Sequence, residues 1–215
     1  MRLLLRKHAL RALAASLFLA CALVRAAPME EVDYVVIDKR PVANTERIEV
    51  IEFFYYGCGT CNRFNPLLEK WLAAKPADVE FRRVAALRRY EWIPLTRLYF
   101  TLEQLGVLPR LHSKVYQSVH EDGRGLSTKS DMEDWAEAQG LDRARFEQVL
   151  MSDETVIKVQ KARDTTVEYA IRATPTLIVD GRYLTTGGML GSVERLIEVL
   201  DGLVAMAREA RQGNE

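Results

Sequence analysis

Residues Ile48–Trp71, IEVIEFFYYGCGTCNRFNPLLEKW, decide the fold of this chain. Ile48, Val50, Ile51, Phe53, Phe54, Tyr55 and Tyr56 form an almost unbroken apolar, β-favouring run, the pattern of a parallel strand covered on both faces. After Gly57 the period lengthens. Cys61, Phe64, Leu68 and Trp71, with Leu67 and Leu72 beside them, recur at three- and four-residue spacing and predict the inward face of a helix. Strand and helix meet at Cys58-Gly59-Thr60-Cys61, which puts Cys58 at a helix N-terminus.

That position has a chemical consequence, because unpaired N–H groups and the positive end of the helix dipole favour an anion. Cys58 should therefore ionise more readily than a free thiol, and the thiolate is the species that attacks or leaves in disulfide exchange. Cys61, one turn in and facing the core, is suited to resolving a mixed disulfide. The competing readings are a structural staple and half of a zinc site. So short a loop restrains little chain entropy, and outside the leader the only histidines, His112 and His120, are distant and lack partner cysteines, so no metal site is predicted.

Working outward, the first 26 residues do not belong to the fold. Arg2, Arg6, Lys7 and Arg11 make a basic start, Ala12 to Val24 an apolar stretch too short to span a bilayer, and Val24-Arg25-Ala26 a small-residue cleavage site. This is a secretory signal peptide. An uncleaved anchor is the competing reading, and Phe18-Leu19-Ala20-Cys21 loosely resembles a lipoprotein signal. The leader holds five basic and no acidic residues, so its loss leaves 189 residues with 25 basic against 30 acidic side chains, a net of −5. Nothing suggests nucleic acid. Only Cys58 and Cys61 remain as cysteines, in a compartment where disulfides persist.

Tyr34 to Asp38 is an edge-strand candidate, and Val79 to Val84 a strand that completes a βαβ unit with parallel strands. From Arg89 to Tyr169 the pattern is helical. Pro94 opens one helix and Leu108 to Val119 mark a second. Ser130 with Glu133 forms a capping box for a third, and Asp142 caps a fourth. Asp153 to Ala170 is a fifth, with Val156, Val159, Ala162 and Thr166 inward. His112 and His120 read as surface residues. The sheet resumes at Thr174-Pro175-Thr176, with a hairpin about Asp180-Gly181. Gly187-Gly188 predicts a turn, Ser192 a final helix cap, and the polar tail from Arg208 a frayed end.

With these features in place, the sequence resembles the thioredoxin superfamily, and within it the DsbA family of secreted thiol:disulfide oxidoreductases. Glu52-Phe53-Phe54 leading into Cys58-Gly59-Thr60-Cys61, the inserted helical block of about 80 residues and Thr174-Pro175-Thr176 carry the resemblance. It implies an α/β, thioredoxin-like fold with an inserted helical domain: residues 27–88 and 170–210 as the discontinuous thioredoxin-like part, 89–169 as the insertion. It implies that Cys58 is the exposed nucleophile, Cys61 the buried partner, and Thr174-Pro175 a cis bond beside the disulfide that leaves Thr174 backbone groups free for an extended substrate. Glu52 matches a buried acid beneath the disulfide, with proton transfer for Cys61 as its implied role. Arg83 alternates with Val79 and Phe81 and is the candidate counter-ion; a purely structural ion pair is the competing reading.

The sequence departs from the best-known members at Gly59-Thr60, where they carry Pro-His. Loss of that imidazolium removes a charged donor near Cys58, and Thr60 offers only a neutral one. The expected activity is disulfide transfer to cysteines of exported proteins in the periplasm. No cofactor is expected beyond the Cys58–Cys61 disulfide. A membrane partner of the DsbB type would re-oxidise the protein, which is expected to be a monomer. A disulfide isomerase, a reductant, and a peptide-binding chaperone with an idle disulfide are the alternatives.

Overall fold

The computed structural model describes residues 27–38 and 46–213. The leader, with Cys21, lies outside the described residues. The sheet has five strands in the order β1-β5-β4-β2-β3: β1 Val35–Val36, β2 Ile48–Phe54, β3 Val79–Ala85, β4 Thr176–Val179 and β5 Tyr183–Thr186. Strands β2 and β3 run parallel, with Glu52 opposite Arg83, and the remaining pairs are antiparallel. β1 is the short edge strand expected near Tyr34. All seven residues of β2 are buried, as a central strand covered on both faces requires.

Helix α1, Gly59–Ala74, joins β2 to β3, and α8, Val193–Gln212, lies with it on one sheet face. Val50, Phe64, Leu68, Leu177, Leu196, Leu200 and Leu203 pack there with essentially no exposure; each such side chain contributes roughly 1.5–3 kcal/mol by leaving water. The opposite face holds Ile51, Phe53, Val84 and Ile178 under Ala162 and Tyr169. Between β3 and β4 come a 3₁₀ turn, Tyr90–Trp92, and α2 Ile93–Gln104, α3 Leu108–His120, α4 Lys129–Ala138, α5 Arg143–Leu150 and α6 Asp153–Glu168. Their core, with Leu98, Leu102, Leu111, Trp135 and Phe146, is continuous with Phe54 at the end of β2, Tyr56 in the turn after it and Cys61 of α1.

The Asp180-Gly181 hairpin forms as expected, both residues at positive φ (54° and 63°), the conformation a two-residue type I′ turn needs. Several local expectations are corrected. The cap of α4 is Thr128, whose Oγ1 accepts from the Asp131 N–H at 3.2 Å; Ser130 and Glu133 form no capping box, because Glu133 is buried against Lys129 and Arg143. On α6 Val156 faces solvent and Thr155 is buried. Gly187-Gly188 opens a one-turn helix, α7 Gly187–Leu190. The tail does not fray at Arg208: the helix runs to Gln212, held by Arg208 on Asp78 at 2.7 Å and by Arg211 on Asp180.

Candidate active site

The β2 strand ends at Phe54, and the chain turns through Tyr55-Tyr56-Gly57 into α1. Tyr55 stacks flat on Trp92, with ring centroids 4.0 Å apart, and its carbonyl accepts from the Cys58 N–H at 3.0 Å. Cys58 is the N-cap of α1. Its sulfur accepts from the Cys61 N–H at 3.3 Å, in place of the serine or aspartate oxygen common at such a position. The two sulfurs are not bonded to each other, and Cys58 is partly exposed while Cys61 is buried.

Thr174-Pro175 is a cis bond. The Thr174 carbonyl lies 3.2 Å from the Cys58 sulfur, as acceptor for its thiol. Gly187 backs this arrangement: its N–H donates to the Pro175 carbonyl at 3.2 Å, and a Cβ there would stand 3.1 Å from the Thr60 methyl and 3.5 Å from the Pro175 ring. A glycine lets α7 lie against both. Thr60 Oγ1 accepts from the Arg63 guanidinium at 3.3 Å.

The electrostatics of the two sulfurs diverge. A hydrogen bond from the Cys61 thiol is the largest influence holding the Cys58 pKa down to about 5; burial opposes it, and a Thr174 side-chain bond and the Cys61 and Thr60 N–H groups add to it. That leaves about a hundred thiolates per thiol at neutral pH. Burial pushes Cys61 well above the usual thiol range, reinforced by its bond to Cys58 and the negative charges of Cys58 and Glu52.

Beneath the pair, Glu52 is buried, and Arg83 donates from Nε to its Oε2 at 2.9 Å. Burial raises the Glu52 pKa against the pull of Arg83, with Glu69 and Cys58 adding to the rise. The structure thus brings Cys58, Cys61, Thr60, Thr174 and Pro175 into one cluster, with Gly59 in the first turn of α1 and the Glu52–Arg83 pair below.

The histidines are corrected. His112 is buried, its Nδ1 2.8 Å from the Tyr56 hydroxyl, and burial holds its pKa well below the ordinary value. His120 Nε2 donates to the Tyr56 carbonyl at 2.7 Å. Both side chains of α3 therefore grip the residue two before Cys58. Helical periodicity does place His112 beside Leu111 and one turn before Val115 and Tyr116. Glu69, which accepts from Arg83 Nη2 at 2.7 Å, carried no signal in the sequence.

One sulfur largely ionised and a second kept protonated one turn away can exchange disulfides with a thiol partner; on this sheet the pair defines a protein thiol:disulfide oxidoreductase. Residues 49–196 match the DSBA-like thioredoxin domain family, and the chain belongs to that family. It is similar to the thiol:disulfide interchange protein DsbA of Azotobacter vinelandii, 34% identical over 171 residues, covering 80% of each chain. It is 30% identical over 210 residues to that of Burkholderia cepacia, covering 95% of this chain and 99% of the other. Among solved structures, that of Pseudomonas aeruginosa DsbA superposes with a TM-score of 0.81 at 30% identity, covering 86% of this chain and 97% of the other.

Proposed function

We propose that this oxidoreductase donates disulfides: the Cys58–Cys61 bond passes to cysteines of exported polypeptides in the periplasm. A substrate thiolate attacks the Cys58 sulfur, the Cys61 sulfur leaves as thiolate and takes a proton, and a mixed disulfide joins substrate to Cys58. A second substrate thiolate then attacks the substrate sulfur of that bond and expels Cys58 as its thiolate. The substrate loses two electrons and the protein gains them. Glu52 supplies and removes the Cys61 proton, with Arg83 as its counter-ion. Backbone groups at Thr174, presented by the cis bond to Pro175, hold the substrate extended, and Gly59 and Thr60 tune the Cys58 thiolate.

The observation that carries the direction of transfer is the place of the Cys58 sulfur, which caps the N-terminus of α1 and accepts from the Cys61 N–H at 3.3 Å, surroundings that lower its pKa. Stabilising the thiolate stabilises the dithiol form against the disulfide, which makes the disulfide a stronger oxidant and Cys58 a better leaving group. The N-terminal leader pattern supports export. Re-oxidation by a membrane partner of the DsbB type and a monomeric state complete the reading. The test is oxidation of a reduced, unfolded cysteine-containing polypeptide by the oxidised protein: Cys58→Ser loses all activity on this account, whereas a chaperone with an idle disulfide would keep its binding activity.

A further inference from the structure

Arg83 does not serve Glu52 alone. Its Nε donates to Glu52 at 2.9 Å and its Nη2 to Glu69 at 2.7 Å, so one guanidinium bridges a carboxylate that is 2% exposed and one that is 45% exposed. Glu69 stands on α1, two turns beyond Cys61, and reaches back to β3 across the edge of the helix.

The charge count of this triad decides what Glu52 can do. Arginine keeps its charge at any relevant pH. In a Glu52–Arg83 pair alone, protonating Glu52 would leave a guanidinium that is 14% exposed without a counter-charge, which is costly. With Glu69 ionised on the other side, Glu52 can take a proton and the triad becomes neutral. When Glu52 gives it up, the triad carries one negative charge that Glu69 shares with solvent. The other groups facing Glu52 do not replace Glu69. Among the described residues these are the Cys58 and Cys61 sulfurs and the Tyr56, Tyr99 and Tyr116 phenols, and the phenols stay neutral because burial raises them.

We propose that Glu69 is a positioning residue for the proton-transfer step, a half-exposed carboxylate that balances Arg83 so that buried Glu52 can exchange its proton during turnover. This rests on the role proposed above for Glu52. The charge of Glu69 also acts on Glu52 in the required sense, favouring its protonated form.

The test uses the closure of a mixed disulfide. Reduced protein attacks glutathione disulfide through Cys58, releasing one glutathione thiolate. Cys61 then gives its proton to Glu52, and its thiolate attacks the Cys58 sulfur and expels the second glutathione. The protein dithiol is oxidised to the disulfide, and glutathione disulfide is reduced to two glutathiones. The rate of closure is followed by acid quench across the acidic pH range in wild type, Glu69→Gln, Glu69→Asp and Glu52→Gln.

Glutamine keeps the hydrogen bond to Arg83 and removes only the charge. The midpoint of the acid limb should fall in Glu69→Gln by on the order of one pH unit, the effect of one partly solvated charge across a guanidinium. Glu69→Asp should return it toward wild type, which loss of packing alone would not do. If Glu52→Gln abolishes the limb while Glu69→Gln leaves it in place, the role of Glu69 is refuted and that of Glu52 stands. A limb that persists in Glu52→Gln refutes the Glu52 reading, and the Glu69 inference with it.

Discussion

Replacing Cys61 by alanine should raise the Cys58 pKa, because the Cys61 thiol is the largest influence holding it near 5. The substitution removes one S–H donor and leaves the Cys61 and Thr60 N–H groups in place. A hydrogen bond to a charged acceptor contributes about 1.5–3 kcal/mol. The thiol is a weak donor and the Cys58 sulfur is partly exposed, so water replaces some of what is lost. The lower end of that range is appropriate and corresponds to about one pH unit. The Cys58 midpoint should therefore move from about 5 to about 6, read from thiolate ultraviolet absorbance against pH and checked by the pH dependence of alkylation. A midpoint that does not move would mean that the helix terminus alone sets the thiolate. One that returns to the value of a free thiol would mean that the helix terminus contributes nothing. Either result refutes the reasoning.

The divergent sulfur pKa values also set how the redox potential depends on pH. Between about 5 and the high Cys61 value, reduction takes up one proton for two electrons. The potential should then fall by about 30 mV per pH unit, steepening to about 59 mV below the Cys58 midpoint; a single slope of about 59 mV through neutrality would contradict this. Arg83→Met leaves Glu52 buried without its counter-ion and should cost about 3 kcal/mol at neutral pH. The loss should be smaller in acid, where Glu52 is protonated, so denaturant unfolding showing equal losses at both pH values would count against the pairing. His112→Phe strands the Tyr56 hydroxyl at a cost of about 1–2 kcal/mol. His112 has a depressed pKa in the fold, so it contributes stability that is present above its unfolded value of about 6.5 and lost as pH falls. The variant should therefore lose less stability on acidification than wild type, and urea titrations at two pH values measure the difference.

How far the sequence could be read depended on whether a feature was local. The β2–α1 junction, the hairpin at Asp180-Gly181 and the caps at Asp142 and Ser192 follow from short-range backbone chemistry, and all formed where the pattern placed them. Alternation along two adjacent strands was enough to pair Glu52 with Arg83. Contacts between distant elements were not legible. The periodicity of α3 puts His112 on its inward face, but nothing in that helix says that Tyr56, 56 residues earlier, presents a hydroxyl to it. The cap of α4 shifted from Ser130 to Thr128 because Glu133 is engaged by Arg143 of the next helix, a tertiary pairing that outweighs a capping box. Glu69 reads as an ordinary exposed helix residue until β3 is laid beside α1.

The central claim is that a stabilised Cys58 thiolate makes this protein a disulfide donor despite Gly59-Thr60 between its cysteines. Its most direct test is the equilibrium of the protein without residues 1–26 with reduced and oxidised glutathione, reading the fraction of Cys58–Cys61 disulfide. Reference potentials run from about −270 mV for thioredoxin to about −120 mV for DsbA, the latter a value measured on a relative in this family. A potential toward the upper end is the predicted result. One near that of thioredoxin would contradict the account and make the same site a reductant.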